Sequence, residues 1–367
     1  MFQVGKPVTG KEFLDRTKMI KEFEKNIKNH QSLMIKAPRR YGKTSLAKEV
    51  FIRTKVDYLF LDYRRTPRAE LIAEKIIDYV YSFAGIDGFM KKITKNVMSF
   101  FQENSKSIKI DMKIFTYTLE FLGESKSANE KLMFAFDLAE KVAKDLELKL
   151  YLVHDEFQDV TKLNSEQEDI LELLRSTLQH QEHLCHYFLG SNESMMSNIF
   201  ESKKSPFFQF CRIMDLKGFN QKELHSQLIE KFKSKMIVFE SNDELLTLLE
   251  RLNGHPANTM IVMQALYYIA LDKDLKLMKK KELDKAYETG FSESIDLVER
   301  YILDISANKH YHDVIYRMAN SEEQVLKGQA LNQVLKGLMS KGYIYRIERG
   351  KYQIIDGFLI DYLRGFE

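Results

Sequence analysis

Three observations predict a three-layer α/β domain with a mostly parallel sheet, followed by an all-α region and a C-terminal winged helix. Apolar runs at 32–35, 56–63, 148–153, 184–189 and 212–216 alternate with helical stretches, the order that gives parallel strands joined by crossover helices. The first run leads through Ala37-Pro38-Arg39-Arg40-Tyr41-Gly42-Lys43-Thr44-Ser45 into a helical stretch, so a glycine-bearing loop joins strand to helix. From Asn220 onward the period is helical, until a last alternating stretch turns at Arg349-Gly350.

Composition narrows the class. With 367 residues, 30% charged and 44% hydrophobic, the chain is long enough for one full core and is expected to carry two or three domains. No apolar run approaches the length of a membrane span, and Met1-Phe2-Gln3-Val4-Gly5-Lys6 lacks a signal-peptide layout, so a cytoplasmic protein with no membrane partner is expected. Cys185 and Cys211 lack the spacing of a metal or redox motif and read as reduced core thiols. A net charge of +3 neither requires nor excludes nucleic acid.

The first helix is expected over 17–28, with Met19, Ile20, Phe23 and Ile27 on one side. The nine-residue loop unit comes next. A helix that starts there has free backbone N–H groups and the positive end of its dipole facing the loop, which is what a phosphate needs. Gly42 lets the backbone approach phosphate, Lys43 reaches the β- and γ-phosphates, and the Thr44 hydroxyl is a ligand for Mg²⁺. Ala37 stands where the G-x-x-x-x-G-K-[ST] pattern has its first glycine, a small steric change. The competing reading is a chance Gly-Lys-Thr in an ordinary strand–helix turn. A second site further on weighs against it.

The run at 56–63 ends at a turn over 64–67, and a helix over 68–83 follows, with Leu71, Ile72, Ile76, Val80 and Phe83 on one side. Residues 84–107 are less regular, and 107–122 alternates like a half-exposed strand, so an insertion near 84–128 is expected on the sheet edge. A helix over 129–146, capped by the turn 129–132, leads to the strand 148–153. That strand ends in His154-Asp155-Glu156-Phe157-Gln158. A buried strand finishing in Asp-Glu, downstream of a phosphate loop, supplies the second half of an ATPase site. Asp155 would hold Mg²⁺ alongside Thr44, and Glu156 would polarise the attacking water. Two surface carboxylates opening a loop are the bland alternative. The two motifs corroborate each other.

A helix over 166–180 precedes the strand 184–189, which ends in Gly190-Ser191-Asn192-Glu193. Ser191 and Asn192 are candidates to sense the terminal phosphate or the water, against a plain turn. The strand 212–216 brings the count to five. Beyond it, Asn220 and Glu223 read as the capping-box start of a helix, with further helices over 241–252, 257–271 and 281–305. The tail reads as helices over 311–319, 321–326 and 329–340 and a hairpin over 343–356, hence a winged helix-turn-helix. The expected domains are a core over 1–219, a helical lid over 220–306 and the winged helix over 307–367.

This order of pieces resembles the archaeal-type ATPases of the STAND/AAA+ branch of P-loop NTPases. The residues that carry the resemblance are Phe13-Leu14-Asp15-Arg16, the loop from Ala37 to Leu46, His154-Asp155-Glu156-Phe157-Gln158 and Gly190-Ser191. Ser205-Pro206-Phe207-Phe208, Gly254-His255-Pro256 and Asp356-Gly357-Phe358-Leu359 complete the set. The resemblance implies a P-loop NTPase core, a lid and a winged helix. It implies that the segment ending at Arg16 lies near the adenine and that Pro256 packs from the lid against the nucleotide. It also implies a Gly-Arg pair after the Ser-Pro segment. Here that place reads Gln209-Phe210, and the nearest arginine, Arg212, stands two residues on, where it reads as a strand-start cation before an arginine finger.

Two functions remain open on these grounds. One is an ATP-hydrolysing, Mg²⁺-dependent switch with a regulatory role, working through a protein partner or self-association. The other is a nucleotide-gated module that binds duplex DNA through residues 327–351. Residues 307–367 carry nine Lys and Arg against seven Asp and Glu, a net of +2, weak for a duplex reader. Lys336, Lys341, Arg346, Arg349 and Lys351 nevertheless cluster locally.

Overall fold

The computed structural model describes residues 2–82, 127–163 and 169–366. Five parallel strands, β1 (Leu33–Lys36), β2 (Leu59–Asp62), β3 (Leu150–Asp155), β4 (Leu184–Gly190) and β5 (Arg212–Asp215), stand in the order β2-β3-β4-β1-β5. Parallel strands covered on both faces read as unbroken apolar runs, and β3 and β4 are buried along their whole length. Their alternate residues feed two cores. Leu150, Leu152, Leu184 and Phe188 face α3 (Ala69–Ser82), α4 (Ala128–Asp145) and α5 (Ile170–Leu178). Tyr151, Val153, Tyr187 and Leu189 face α1 (Thr17–Lys28) and α2 (Lys43–Thr54). The expected three layers are formed.

Several local expectations are corrected. Ser127, rather than the turn at 129–132, caps α4. Its hydroxyl accepts the Glu130 N–H at 3.2 Å, and the Glu130 carboxylate accepts the Ser127 N–H at 2.7 Å. Two short elements escape the periodicity: a 3₁₀ helix (Phe157–Lys162) and α6 (Glu193–Phe200), both held by buried aromatic packing around Phe157 and Phe200. The alternating strand at 107–122 lies outside the described residues. Cys185 and Cys211 are free.

Past Asn220 come α7 (Gln221–Lys233), α8 (Asn242–Arg251), α9 (Pro256–Asp272), α10 (Lys280–Ser306), α11 (Lys309–Ala319) and α12 (Gly328–Ser340). Two-residue strands β6 (Val238–Phe239) and β7 (Leu277–Met278) pair in parallel. The hairpin of β8 (Ile344–Glu348) and β9 (Lys351–Ile354) turns at Arg349-Gly350 as expected, and α13 (Gly357–Leu363) closes the chain. The expected helix at 321–326 does not form. Arg317 holds that stretch open instead, donating to the Glu322 carboxylate at 3.2 Å and the Glu323 carbonyl at 3.3 Å. The capping box at Asn220 is half made. Asn220 accepts the Glu223 N–H at 3.1 Å, but Glu223 accepts the Thr17 hydroxyl and the Asn220 N–H donates to Asp15 at 2.7 Å. These bonds bolt α7 to the start of α1. One apolar core runs from α7 to α13 and takes in Phe2 and Leu14 from the N-terminal segment.

Candidate active site

The loop at 37–42 leaves the C-terminal end of β1 and enters α2 at Lys43. Arg40 and Gly42 both have left-handed backbones, with φ 64° and 80°. Glycine adopts that geometry without strain, whereas a side chain there costs about 1–3 kcal/mol, so Arg40 is held by its surroundings. Gly42 caps α2 with no side chain, which leaves the first N–H groups of the helix for an anion. The Lys43 ammonium is buried and donates to the Ala37 and Pro38 carbonyls, each at 2.9 Å. Burial pulls its pKa down to about 8, opposed by the charges of Glu156 and Asp155. Ser45 accepts the Val8 N–H at 3.2 Å, which lays the N-terminal segment over the loop.

Asp155 ends β3. Its carboxylate accepts the Thr44 hydroxyl at 3.0 Å, so two motifs far apart in sequence meet directly. Burial pushes its pKa up to about 6, against the Thr44 hydrogen bond. Glu156 has a left-handed backbone, φ 55°, that turns its side chain out of the strand line. One oxygen, Oε2, accepts from Ser191 at 2.6 Å, Arg64 at 2.9 Å and Gln158. Arg64 also donates to Asp159 at 3.0 Å, and this second bond fixes the guanidinium. Gly190 has a steric reason to be glycine: a Cβ there would lie 2.4 Å from the Met196 sulfur and 2.6 Å from the Gln158 side-chain oxygen.

Behind the carboxylates the sheet carries a buried polar chain. Tyr63 donates to His154 Nδ1 at 2.9 Å, His154 Nε2 meets His186 Nδ1 at 3.0 Å, and His186 Nε2 meets the Gln181 oxygen at 2.8 Å. The Gln181 amide donates to the Phe136 carbonyl, so its oxygen must accept from His186. Each ring is thereby fixed as the neutral tautomer with its proton on Nε2. Burial holds both histidines below their ordinary pKa, His186 down to about 3.

A cavity of about 780 Å³ lies over the loop, a size suited to a nucleotide. Phe13, Arg16, Lys43, Thr44, Glu156 and Pro256 are among its walls, so the structure gathers candidates from three parts of the chain. Arg16 is buried, donates to the Tyr41 carbonyl at 3.0 Å and to that of Lys217, and lies 4.9 Å over the Phe219 ring. Burial lowers its pKa to about 10. Pro256 is the first residue of α9, with His255 as N-cap. Asn192 is placed otherwise: its side chain accepts the Met195 N–H at 3.0 Å and caps α6. Arg212 pairs in register with Leu33, at the strand end opposite the loop, and lies 3.8 Å from Glu22. Arg64, Gln158 and Arg300 of α10 also border the site or hold its carboxylate; the sequence reading gave Gln158 a place in the motif but no role, and missed the two arginines. Only the Arg64-Arg65 pair closing β2 offered a signal.

Among the described residues no group of three or more His, Cys, Asp and Glu could hold a metal ion. Thr44 and Asp155 offer instead a hydroxyl and a carboxylate, hard oxygen donors of the kind Mg²⁺ takes when phosphates and water complete its shell. Also among the described residues, no helix is long and apolar enough to cross a membrane.

The model of a family described as "ATPase domain predominantly from Archaea" matches residues 13–262. No curated protein sequence matches the chain. Among solved structures, a Walker-type ATPase of Pyrococcus abyssi is similar over 99% of this chain and 99% of its own, with TM-score 0.68 and 15% identity. The ORC2 protein of Aeropyrum pernix, solved as ADPNP-ADP complexes, is similar over 100% of this chain and 97% of its own, with TM-score 0.57 and 13% identity. At these identities the likeness is one of fold, that of a P-loop NTPase.

Proposed function

The chain belongs to the family of ATPase domains found predominantly in Archaea, and from that premise we propose that it is a Mg²⁺-dependent, ATP-hydrolysing molecular switch of the STAND/AAA+ branch, regulatory in role. The core over 1–219, with its insertion near 84–128, is the engine. The lid over 220–306 and the winged helix over 307–367 are the parts that respond. The Thr44–Asp155 hydrogen bond of 3.0 Å carries the reading, because it joins residues 111 positions apart into one site.

The phosphates lie on the N–H groups of Gly42 to Ser45, with the Lys43 ammonium leaving the Ala37 and Pro38 carbonyls for them. Thr44 and Asp155 hold Mg²⁺. Held there, the ion would supply positive charge against the negative charge that develops on the phosphates. Glu156 has Oε2 committed to Arg64, Ser191 and Gln158, which leaves Oε1 for the water. That oxygen takes the proton as the water oxygen bonds to the γ-phosphorus and the bond to ADP breaks. The adenine lies by the segment ending at Arg16, in the cavity lined by Phe13, Leu14 and Phe219, with Pro256 packing against the nucleotide.

The output is a protein partner or self-association. Two of the five clustered basic residues are already ion-paired within the chain: Lys341 with Asp304 at 2.7 Å and Lys351 with Glu348. That favours a protein-facing unit over a duplex reader through 327–351. The test of the site is ATP binding by calorimetry, with Mg²⁺ and with chelator, for the wild type and Lys43→Ala. The variant is expected to lose binding; wild-type affinity in Lys43→Ala contradicts the phosphate-loop assignment.

A further inference from the structure

Tyr41 stands directly before Gly42, at the tip of the phosphate loop, and its side chain is buried. Part of what it packs on comes from outside the nucleotide-binding core. Its ring meets the His255 ring edge-on, with centroids 5.3 Å apart and planes at 85°. It shares an apolar cluster with Ile355, against which Tyr345 of the hairpin also packs. Arg16 fixes its carbonyl at 3.0 Å. The tip of the loop is therefore held by the first helix, the lid and the tail at once.

From His255 the contacts continue without reaching solvent. His255 Nδ1 accepts the Asn258 N–H at 3.2 Å, so the ring is oriented by the first turn of α9. The Asn258 side-chain amide donates to Asp356 Oδ1 at 2.7 Å. The same oxygen accepts the N–H groups of Phe358 at 2.9 Å and Leu359 at 3.3 Å, which caps α13. His255, Asn258 and Asp356 are each 5% exposed or less. At the same joint, a Cβ on Gly357 would lie 2.5 Å from the Arg251 carbonyl, so tail and lid backbones meet without slack. Side chains packed at that density pass a displacement on rather than absorb it.

We infer that Tyr41, His255, Asn258 and Asp356 form a buried connection through which the C-terminal unit positions the phosphate loop and through which nucleotide at the loop shifts the C-terminal unit. His255, Asn258 and Asp356 are positioning residues; none of them lines the cavity over the loop. The inference rests on the phosphate-loop reading and adds the route by which that site is regulated. Its two halves are one quantity, because an interaction that couples two sites acts equally in both directions.

The experiment takes the full chain and measures ATP binding with Mg²⁺ by calorimetry, together with backbone hydrogen exchange. In the wild type, saturating ATP is expected to change the exchange of residues 344–363 as well as that of 37–45. Asn258→Ala removes one amide donor and leaves Asp356 its two backbone N–H groups, so α13 keeps its cap. In this variant the ATP Kd is expected to weaken about fivefold or more, the range of ordinary coupling. Its loop should still respond to ATP while 344–363 no longer does. Asp356→Asn keeps an acceptor for both Asn258 and α13 and is expected to retain the response. Tyr41→Leu combined with Asn258→Ala should bind ATP no more weakly than the worse single variant, because both break one path. Exchange at 344–363 that ignores ATP in a wild type that binds it overturns the inference, and so do Kd changes that multiply in the double variant. The wild-type arm needs no substitution to fold. A wild type that fails to bind ATP overturns the phosphate-loop reading itself, and calorimetry reads that outcome separately.

Discussion

His186 makes a charge-state argument testable at the scale of one residue. It is buried between His154 and Gln181, and desolvation holds its pKa near 3, against an ordinary value of 6.5. The unfolded chain takes up a proton as pH falls through 6.5, while the folded chain does not until about 3. The stability this neutral ring supports is complete above 6.5 and is lost as pH falls through that window. The wild-type advantage over His186→Leu should shrink by about 1.4 kcal/mol per pH unit below 6.5. Urea titrations of both proteins between pH 7.5 and 5 check it, and a difference that does not change with pH contradicts it. Residue chemistry also decides how much of the site was legible. Lys43, Thr44, Asp155 and Glu156 declare themselves because phosphate and metal chemistry restricts both residue type and spacing. Arg64 does not. Its task is to hold one oxygen of Glu156, and that depends on β2 lying beside β3, which no local pattern specifies.

At the scale of elements, β1 to β5 all stand where an apolar run predicts them, β3 and β4 most plainly because they are buried on both faces. Short elements made by tertiary contacts stay hidden. α6 is only 8 residues long, and what holds it is the Asn192 cap and the burial of Met196, Ile199 and Phe200. The stretch 321–326 fails in the opposite sense, since local helical pattern yields there to the Arg317 hydrogen bonds. The turn from strand to lid has a consequence at Arg16. Its guanidinium joins the loop at Tyr41 to the lid entry at Lys217, so Arg16→Ala leaves two carbonyls unpaired, at about 1–3 kcal/mol for each that stays buried. The expected outcome is a raised KM for ATP with kcat largely kept, because Lys43, Asp155 and Glu156 are untouched. An unchanged KM in steady-state assays removes Arg16 from the nucleotide pocket.

At the scale of the molecule, the sheet order β2-β3-β4-β1-β5 puts the strand carrying Asp155 two places from the strand carrying the loop, with β4 and Ser191 between. Ligands of open parallel sheets bind at the carboxyl ends of the strands, and Lys43, Thr44, Asp155, Glu156 and Ser191 all gather there. The sequence predicts the strands but not their order, because order is set by crossover packing and not by periodicity. Nor does it reveal that one apolar core spans lid and tail, since those contacts join residues such as Tyr287 and Phe358 across the chain.

The central claim is that Glu156 activates water for attack on ATP held by Lys43, Thr44 and Asp155. Single-turnover hydrolysis measured beside ATP binding, for Glu156→Gln and Asp155→Asn, tests it most directly. Glu156→Gln is expected to bind ATP and Mg²⁺ like the wild type and to hydrolyse it slower by a factor on the order of 10² or more. Asp155→Asn is expected to lose the Mg²⁺-dependent part of binding together with turnover. Hydrolysis by Glu156→Gln at the wild-type rate contradicts the account.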